Sequence, residues 1–256
     1  LREAERDIIY DEFYNRTDDI ITGIIQRIEQ KNIYVDLGKA EAVLPHSEQI
    51  ATEEYFVGQR IKCYVVEVRK TPKGAQILLS RTHPGLLKRL FELEVPEISD
   101  GVVELQSVAR EPGRRSKIAV YSRDPNVDCV GACVGPKGAR VQNIVMELQN
   151  EKIDIVKWDQ DPAVYIANAL SPAQVISVTV DEEKKASAVV VPDYQLSLAI
   201  GKAGQNARLA AKLTNWKIDI KSESQVEEED DNDFIDDDII SELAEPSETA
   251  DTSEEI

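Results

Sequence analysis

Cysteine, histidine, methionine and aromatic residues are all scarce in this chain of 256 residues, which holds three Cys, two His, one Met and 5% aromatics. Cys63, Cys129 and Cys133 are too few for a disulfide framework, and Cys129 and Cys133, four residues apart, have no further ligands at zinc-site spacing. Buried, reduced thiols of a cytosolic protein are the expected state. No run approaches the ~20 apolar residues of a membrane span, and the start Leu1-Arg2-Glu3-Ala4-Glu5 has no signal-peptide pattern. The two histidines, His46 and His83, lie far apart, and no phosphate loop, nucleophile elbow or metal-ligand spacing accompanies them. The expectation is a chain without catalytic residues, cofactor or metal. A first residue other than methionine is read as the mark of a fragment of a longer chain.

Basic residues are also missing from one region. The net charge is −18, yet residues 222–256 contain sixteen carboxylates and no Lys or Arg, so nearly all of the excess lies there. The remainder is close to neutral, and local patches decide what it binds. Residues 223–256 read as a disordered acidic tail. Two readings of it stay open: a competitor with an anionic ligand for cationic loops, or a solubilising extension.

What the sequence does contain is a repeat. Gly135-Pro136-Lys137-Gly138 returns as Gly201-Lys202-Ala203-Gly204, each after an apolar run (130–134 and 196–200) and before a helix-patterned segment (139–148 and 205–213). Lys152-Ile153-Asp154-Ile155 then returns as Lys217-Ile218-Asp219-Ile220. The glycines repeat at 66 residues and these strands at 65, which places a lost residue in the helix after the second loop. Two glycines separated by two residues let a helix-helix turn approach a phosphate chain, as in KH domains. The elements around each loop follow one order: a helix (83–93, then 162–170), a hairpin (102–110 with 117–121, then 175–180 with 188–191), two helices flanking the loop, and a strand. That is the type II KH order, twice, joined through 159–161 without a flexible linker and expected to pack as one rigid unit.

In such a module the loop and the following helix grip about four nucleotides by their backbone. Besides the loop residues Gly135, Pro136, Gly138, Gly201, Ala203 and Gly204, the expected contacts are Lys137 and Arg140 on phosphates in the first copy and Lys202 and Arg208 in the second. Gln205 and Asn206 would bond base edges or riboses. Val134 and Ile200 are either groove floor or ordinary core. Pro136 stiffens the first loop and Ala203 leaves the second with one cation, which predicts weaker binding there. Arg114 and Arg115 sit on a hairpin tip, either solvated or in contact with RNA.

Ahead of the repeat, β-branched runs at 20–28, 33–37, 42–44, 60–68 and 76–80 predict five short strands, a number that suits a small OB-type barrel. Thr22-Gly23-Ile24-Ile25, Tyr34-Val35-Asp36-Leu37-Gly38, Val57-Gly58-Gln59-Arg60-Ile61 and Leu79-Ser80-Arg81 resemble the S1 RNA-binding domain. Tyr34 is either a base-stacking platform or a core ring; His46 is a loop residue or a contact, and Arg81 is placed beside them. Residues 1–15 read as an amphipathic helix with Ile8, Ile9 and Phe13 on one side. The expected division is 1–16 connecting helix, 17–82 barrel, 83–159 and 160–222 KH modules, and 223–256 tail.

An S1 barrel followed by two type II KH modules resembles the NusA family of bacterial transcription elongation, termination and antitermination factors. Residues 197–210, Ser-Leu-Ala-Ile-Gly-Lys-Ala-Gly-Gln-Asn-Ala-Arg-Leu-Ala, look like that family's second loop and helix. The resemblance implies a monomeric cytoplasmic protein that binds single-stranded nascent RNA. It also implies RNA polymerase, met mainly through an amino-terminal domain missing here, and other antitermination factors as partners. Two alternatives stay open: the RNA-binding appendage of an exoribonuclease, disfavoured by module order, and a ribosome-associated protein, disfavoured by the duplicated KH.

Overall fold

The computed structural model describes residues 2–229. Helix α1 (Arg2–Tyr14) leads into strands β1 (Ile20–Glu29), β2 (Asn32–Asp36), β3 (Glu41–Leu44), β4 (Arg60–Thr71) and β5 (Gly74–Ser80), which close into a barrel in the order β1-β2-β3-β5-β4. Alternating burial along β2 and β3 sends Ile33, Val35, Ala42 and Leu44 into the barrel core. Strands must approach closely where β1 meets β2: a Cβ on Gly23 would lie 2.4 Å from Val35 Cγ1. Helix α1 plugs one side of the barrel with Phe13, and Ile9 packs partly beside it. Ile8, expected on the same face, is instead exposed.

Helices α2 (Pro84–Glu94) and α3 (Pro96–Ser99), strands β6 (Val103–Glu111) and β7 (Arg115–Ser122), helices α4 (Cys129–Val134) and α5 (Ala139–Glu147), and strand β8 (Lys152–Lys157) form the first KH module. In its sheet, β7 is central, antiparallel to β6 and parallel to β8. The second module repeats the plan with α6 (Pro162–Ala169), β9 (Ser177–Asp181), β10 (Ala186–Val191), α7 (Leu196–Ile200), α8 (Gln205–Thr214) and β11 (Lys217–Ser222), β10 being central. Helix starts follow local chemistry: Pro84 and Pro162 occupy the first turn, and His83 and Asp161 accept from the amides of Gly85 and Ala163. The missing residue of the second copy lies in the turn after α8, not inside the helix. Two left-handed residues, Gln149 and Asn150, follow α5, whereas Asn215 alone ends α8.

The modules share cores. Ile20 and Tyr64 of the barrel are buried with Leu87, Phe91 and Ile118 of the first KH module. Ala109, Ala119 and Val156 of the first KH sheet are buried with Ile166, Leu209 and Leu213 of the second. Buried charge pins the same junctions. Arg81, expected on the barrel's outer face, is 1% exposed and makes a bidentate pair with Glu53 while donating to the carbonyls of Lys62 and Glu147. Arg110 pairs with Glu151, which also accepts from Ser116 Oγ and the Gly113 amide. The β6–β7 tip is likewise no free surface: a Cβ on Gly113 would lie 2.2 Å from Thr52 Oγ1 of the barrel, and Arg115 is held bidentate by Asp154, leaving only Arg114 exposed.

All three cysteines are free and buried, and burial pushes the Cys63 and Cys133 thiols up to about 12. No helix among the described residues is long and apolar enough to cross a membrane. The acidic segment begins as helix over 223–229, with Ser224 bonded to Asp193 and Lys221 to Glu229. Residues 230–256, the rest of the expected disordered tail, lie outside the described residues.

Candidate nucleic-acid interface

The two Gly-x-x-Gly turns have the same backbone. Gly135 and Gly201 sit at φ/ψ of 75/171 and 77/171, Lys137 and Ala203 at 54/27 and 53/30, and Gly138 and Gly204 at 74/14 and 73/13. Glycine is required first by close approach: a Cβ on Gly135 would strike Arg140 Cγ at 2.5 Å, and one on Gly201 would meet Asn206 N at 2.8 Å. At Gly138 and Gly204 space is open, and the left-handed torsion alone selects glycine. Since Ala203 occupies the position of Lys137, and Lys202 that of Pro136, the two cations leave their turns one position apart. A non-glycine residue held left-handed in each turn is strain of the kind stored at ligand-gripping loops.

Lys137 and Lys202 are both exposed and, among the described residues, stand in no ion pair. The other cations expected on phosphates are already engaged. Arg140 bonds Glu97 at 2.8 Å and the Ala132 carbonyl at 2.6 Å, bracing the end of α4 against α3. Arg208 bonds Glu111 at 2.6 Å and the Ala203 carbonyl at 3.1 Å. Gln205 reaches the same Glu111, and the hydrogen bond from Arg208 holds that carboxyl below the usual range. Asn206, expected to read base edges, is 2% exposed and donates to the carbonyls of Leu170 and Ala199 instead, so its side chain ties α6 to α7. Val134 is half-buried and Ile200 is 37% exposed, so neither is closed into the core.

On the barrel, Tyr34 projects outward between inward-facing Ile33 and Val35. Its ring borders a cleft of about 610 Å³ that runs past Val43 and Gln76 to Lys73. The Arg27 guanidinium lies 4.0 Å from the ring centroid and is itself bonded to Glu41. Arg27 was not among the residues singled out from the sequence: the β1 bulge between Ile25 and Arg27 sets it opposite Tyr34. His46 is exposed at the start of the short turn after β3, and the guanidinium of Arg81 is buried elsewhere. Glu111 also escaped the sequence reading, because its partners are 94 and 97 residues away.

Three families match the chain in sequence: the S1 RNA binding domain over residues 14–80, the NusA-like first KH domain over 81–158, and the NusA-like second KH domain over 162–228. The chain is 68% identical over 228 residues to the transcription termination/antitermination protein NusA of Halalkalibacterium halodurans, covering 89% of this chain and 60% of that protein. It is 66% identical over 228 residues to that of Bacillus subtilis, with 89% and 62% covered. With that of Thermus thermophilus it shares 52% over 219 residues, with 85% and 57% covered. The chain thus spans about 60% of the length of these relatives. Module order, matching loops and this level of identity agree, and the chain belongs to the NusA family of transcription termination/antitermination proteins.

Proposed function

We propose that this chain is the RNA grip of a transcription termination/antitermination factor, holding single-stranded nascent transcript as it leaves RNA polymerase. The observation that carries the reading is the pair of matching Gly-x-x-Gly turns, each with an exposed lysine, set in one frame by shared cores. Lys137 and Lys202 are the phosphate contacts, and Val134 and Ile200 line the grooves beside them. The turns hold backbone rather than bases, so sequence preference is modest and affinity comes from several weak sites on one strand. Tyr34 offers a further stacking surface once Arg27 swings off its face. The protein works in the cytoplasm as a monomer, and polymerase and other antitermination factors are its partners through the whole protein rather than through these modules alone.

The test is binding of a single-stranded RNA library, at fixed salt, to this chain and to Lys137→Asp/Lys202→Asp. A sharp loss of affinity with an unchanged urea midpoint is expected. Equal binding would remove the turns from the RNA path and leave the KH pair a rigid spacer or protein-docking unit.

A further inference from the structure

The RNA grip leaves one sequence feature without a role, the acidic segment after β11, and the root of that segment is held against the second KH module. Ser224 donates from its amide to Asp193 at 3.1 Å and from its hydroxyl to the same carboxylate. Gln225 accepts from the Ser222 amide at 2.9 Å, one half of a capping box that starts the helix over 223–229. Lys221 bonds Glu229 at 2.8 Å, so the end of that helix stays close to β11. Asp193 opens the short turn that becomes α7, and an apolar strip lies beside it. Tyr194 is 77% exposed, the most exposed large apolar side chain among the described residues. Leu198, four residues on and therefore on the same helical face, is exposed too. Ile176, also exposed, lies alongside: its amide donates to Val190 at 2.8 Å, and the Gln174 amide donates to Gln195 Oε1 at 3.1 Å, tying that loop to the residue after Tyr194.

What suits this strip is an apolar segment that carries negative charge. The stretches 162–180 and 194–218, which build this side of the module, contain no Asp or Glu in a chain that has 48, and they hold Lys202, Arg208, Lys212 and Lys217. The chain itself supplies such a segment. Over 234–243, Phe234, Ile235, Ile239, Ile240 and Leu243 are set among Asp236, Asp237, Asp238 and Glu242. A purely solubilising extension has no use for them, because segments that only solvate are poor in aromatic and β-branched residues. Ile235, Ile239 and Leu243 recur every four residues, the spacing at which a helix gathers one apolar face for a groove. The reach also suffices. The five residues from Glu229 to Phe234 span at most about 18 Å, against about 10 Å for the helix over 223–229 that leads away from Asp193. Tethering makes a weak contact sufficient: effective concentrations behind a short linker are on the order of millimolar, so a surface that holds the free segment only at that level is about half covered.

We propose that residues 234–243 dock on the second KH module of their own chain, with their apolar side chains on Tyr194, Leu198 and Ile176 and the Asp193–Ser224 contact as the anchor of the return. The proposal goes beyond the RNA reading and does not depend on it. It makes the acidic segment part of the second module's surface rather than an appendage.

The experiment places the photo-crosslinking residue p-benzoylphenylalanine at position 194 of the full chain, an exposed site whose replacement leaves the core intact. After irradiation, cleavage at Lys and Arg releases residues 186–202 and 222–256 as separate peptides, and further cleavage at Glu distinguishes a link to 234–243 from one to the helix over 223–229. A link within 234–243 of the same chain is expected, with a yield independent of protein concentration. The yield should persist in about 1 M salt, where charges are screened beyond about 3 Å, and fall at least about fivefold in Phe234→Ser/Ile239→Ser. A link between two chains, rising with concentration, would overturn the docking within one chain and make the strip an interface between copies. A yield that survives the serine variant and vanishes in salt would overturn it as well, since charge alone would then hold the segment. Links confined to 223–229, or none, would overturn the proposal and leave the segment a solubilising extension.

Discussion

At Gly201 a methyl group would meet the Asn206 backbone nitrogen at 2.8 Å while the residue is held at φ +77, whereas at Gly204 only the tip of Arg208 comes within 3.9 Å. The two alanine variants therefore separate contact from torsion. Gly204→Ala is expected to cost about 1–2 kcal/mol, the left-handed penalty alone, and Gly201→Ala clearly more, because the turn must also open. Urea denaturation of both variants checks the order; equal losses would mean that the first glycine is required for torsion only. Arg81 gives a second prediction at this scale. Its guanidinium is shut between Glu53, Lys62 and Glu147, so Arg81→Ala leaves a buried carboxylate unpaired and should cost about 3–5 kcal/mol. RNA affinity, measured where that variant is still folded, is expected to stay unchanged; a selective loss of affinity would put Arg81 back on the binding face. The sequence announces Arg81, Arg140, Asn206 and Arg208 as polar residues near loops, and nothing local tells that their partners lie on other elements. Glu53 is 28 residues from Arg81 and Glu111 is 97 from Arg208. Burial of a charge is settled by such distant pairings, which is why the turns themselves were legible and the occupation of their neighbouring side chains was not.

Among the elements, the β6–β7 hairpin shows most plainly what periodicity reveals and what it hides. Alternation and the Glu111-Pro112-Gly113-Arg114-Arg115 break mark it as a hairpin, and the strands form as that pattern implies. Its tip reads as a basic corner, either solvated or in contact with RNA, yet it is wedged against Thr52 and Ile50 of the barrel, with Arg110, Glu151 and Ser116 buried beneath. Burial on its own would raise the Glu151 carboxyl, but hydrogen bonds from Arg110, Gly113 and Ser116 prevail and hold it below the usual range. Asp154 behaves alike: burial opposes ionisation, and Arg115 and Lys117 overcome it. Carboxyls depressed in the folded state contribute stability that is fully present above their unfolded value of about 4.3 or 3.9 and is lost as pH falls through the folded one. The urea midpoint should thus be flat from neutrality to about pH 5 and fall below it. Glu151→Gln, which strands Arg110, should lower stability at pH 7 by roughly 3–5 kcal/mol and decline less steeply with acid. An acid profile as steep as that of the unmodified chain would show that Glu151 is not among the groups whose protonation unlocks the junction.

Across the whole molecule, three modules that could each be drawn as a separate domain are fused by residues they contribute to one another's cores. Val156 is 1% exposed, lies on the first KH sheet and is packed in the core of the second. Val156→Ala should accordingly weaken hydrogen-exchange protection in both KH modules together; loss confined to the first would mean that the shared core does not couple them. On the proposed RNA grip, this frame fixes the spacing of several weak sites, which one strand occupies together only when their geometry permits simultaneous contact. The charge that such a grip uses can then be counted. A protein that neutralises phosphates of single-stranded RNA loses affinity with salt at a slope of about 0.7 per contact on a log-log plot. Lys137→Ala and Lys202→Ala, each removing an exposed cation, are expected to lower the slope by about 0.7 apiece and to add, since they sit on separate turns. Arg208→Ala should lower it by less, because Glu111 already balances that charge in the free protein. Affinities measured from low to moderate salt for the three variants decide the matter. If the lysine variants keep the full slope, the turns do not touch the phosphate chain, whatever their geometry; if Arg208→Ala changes it as much as a lysine does, RNA displaces Glu111, and the salt link between the two KH modules opens on binding.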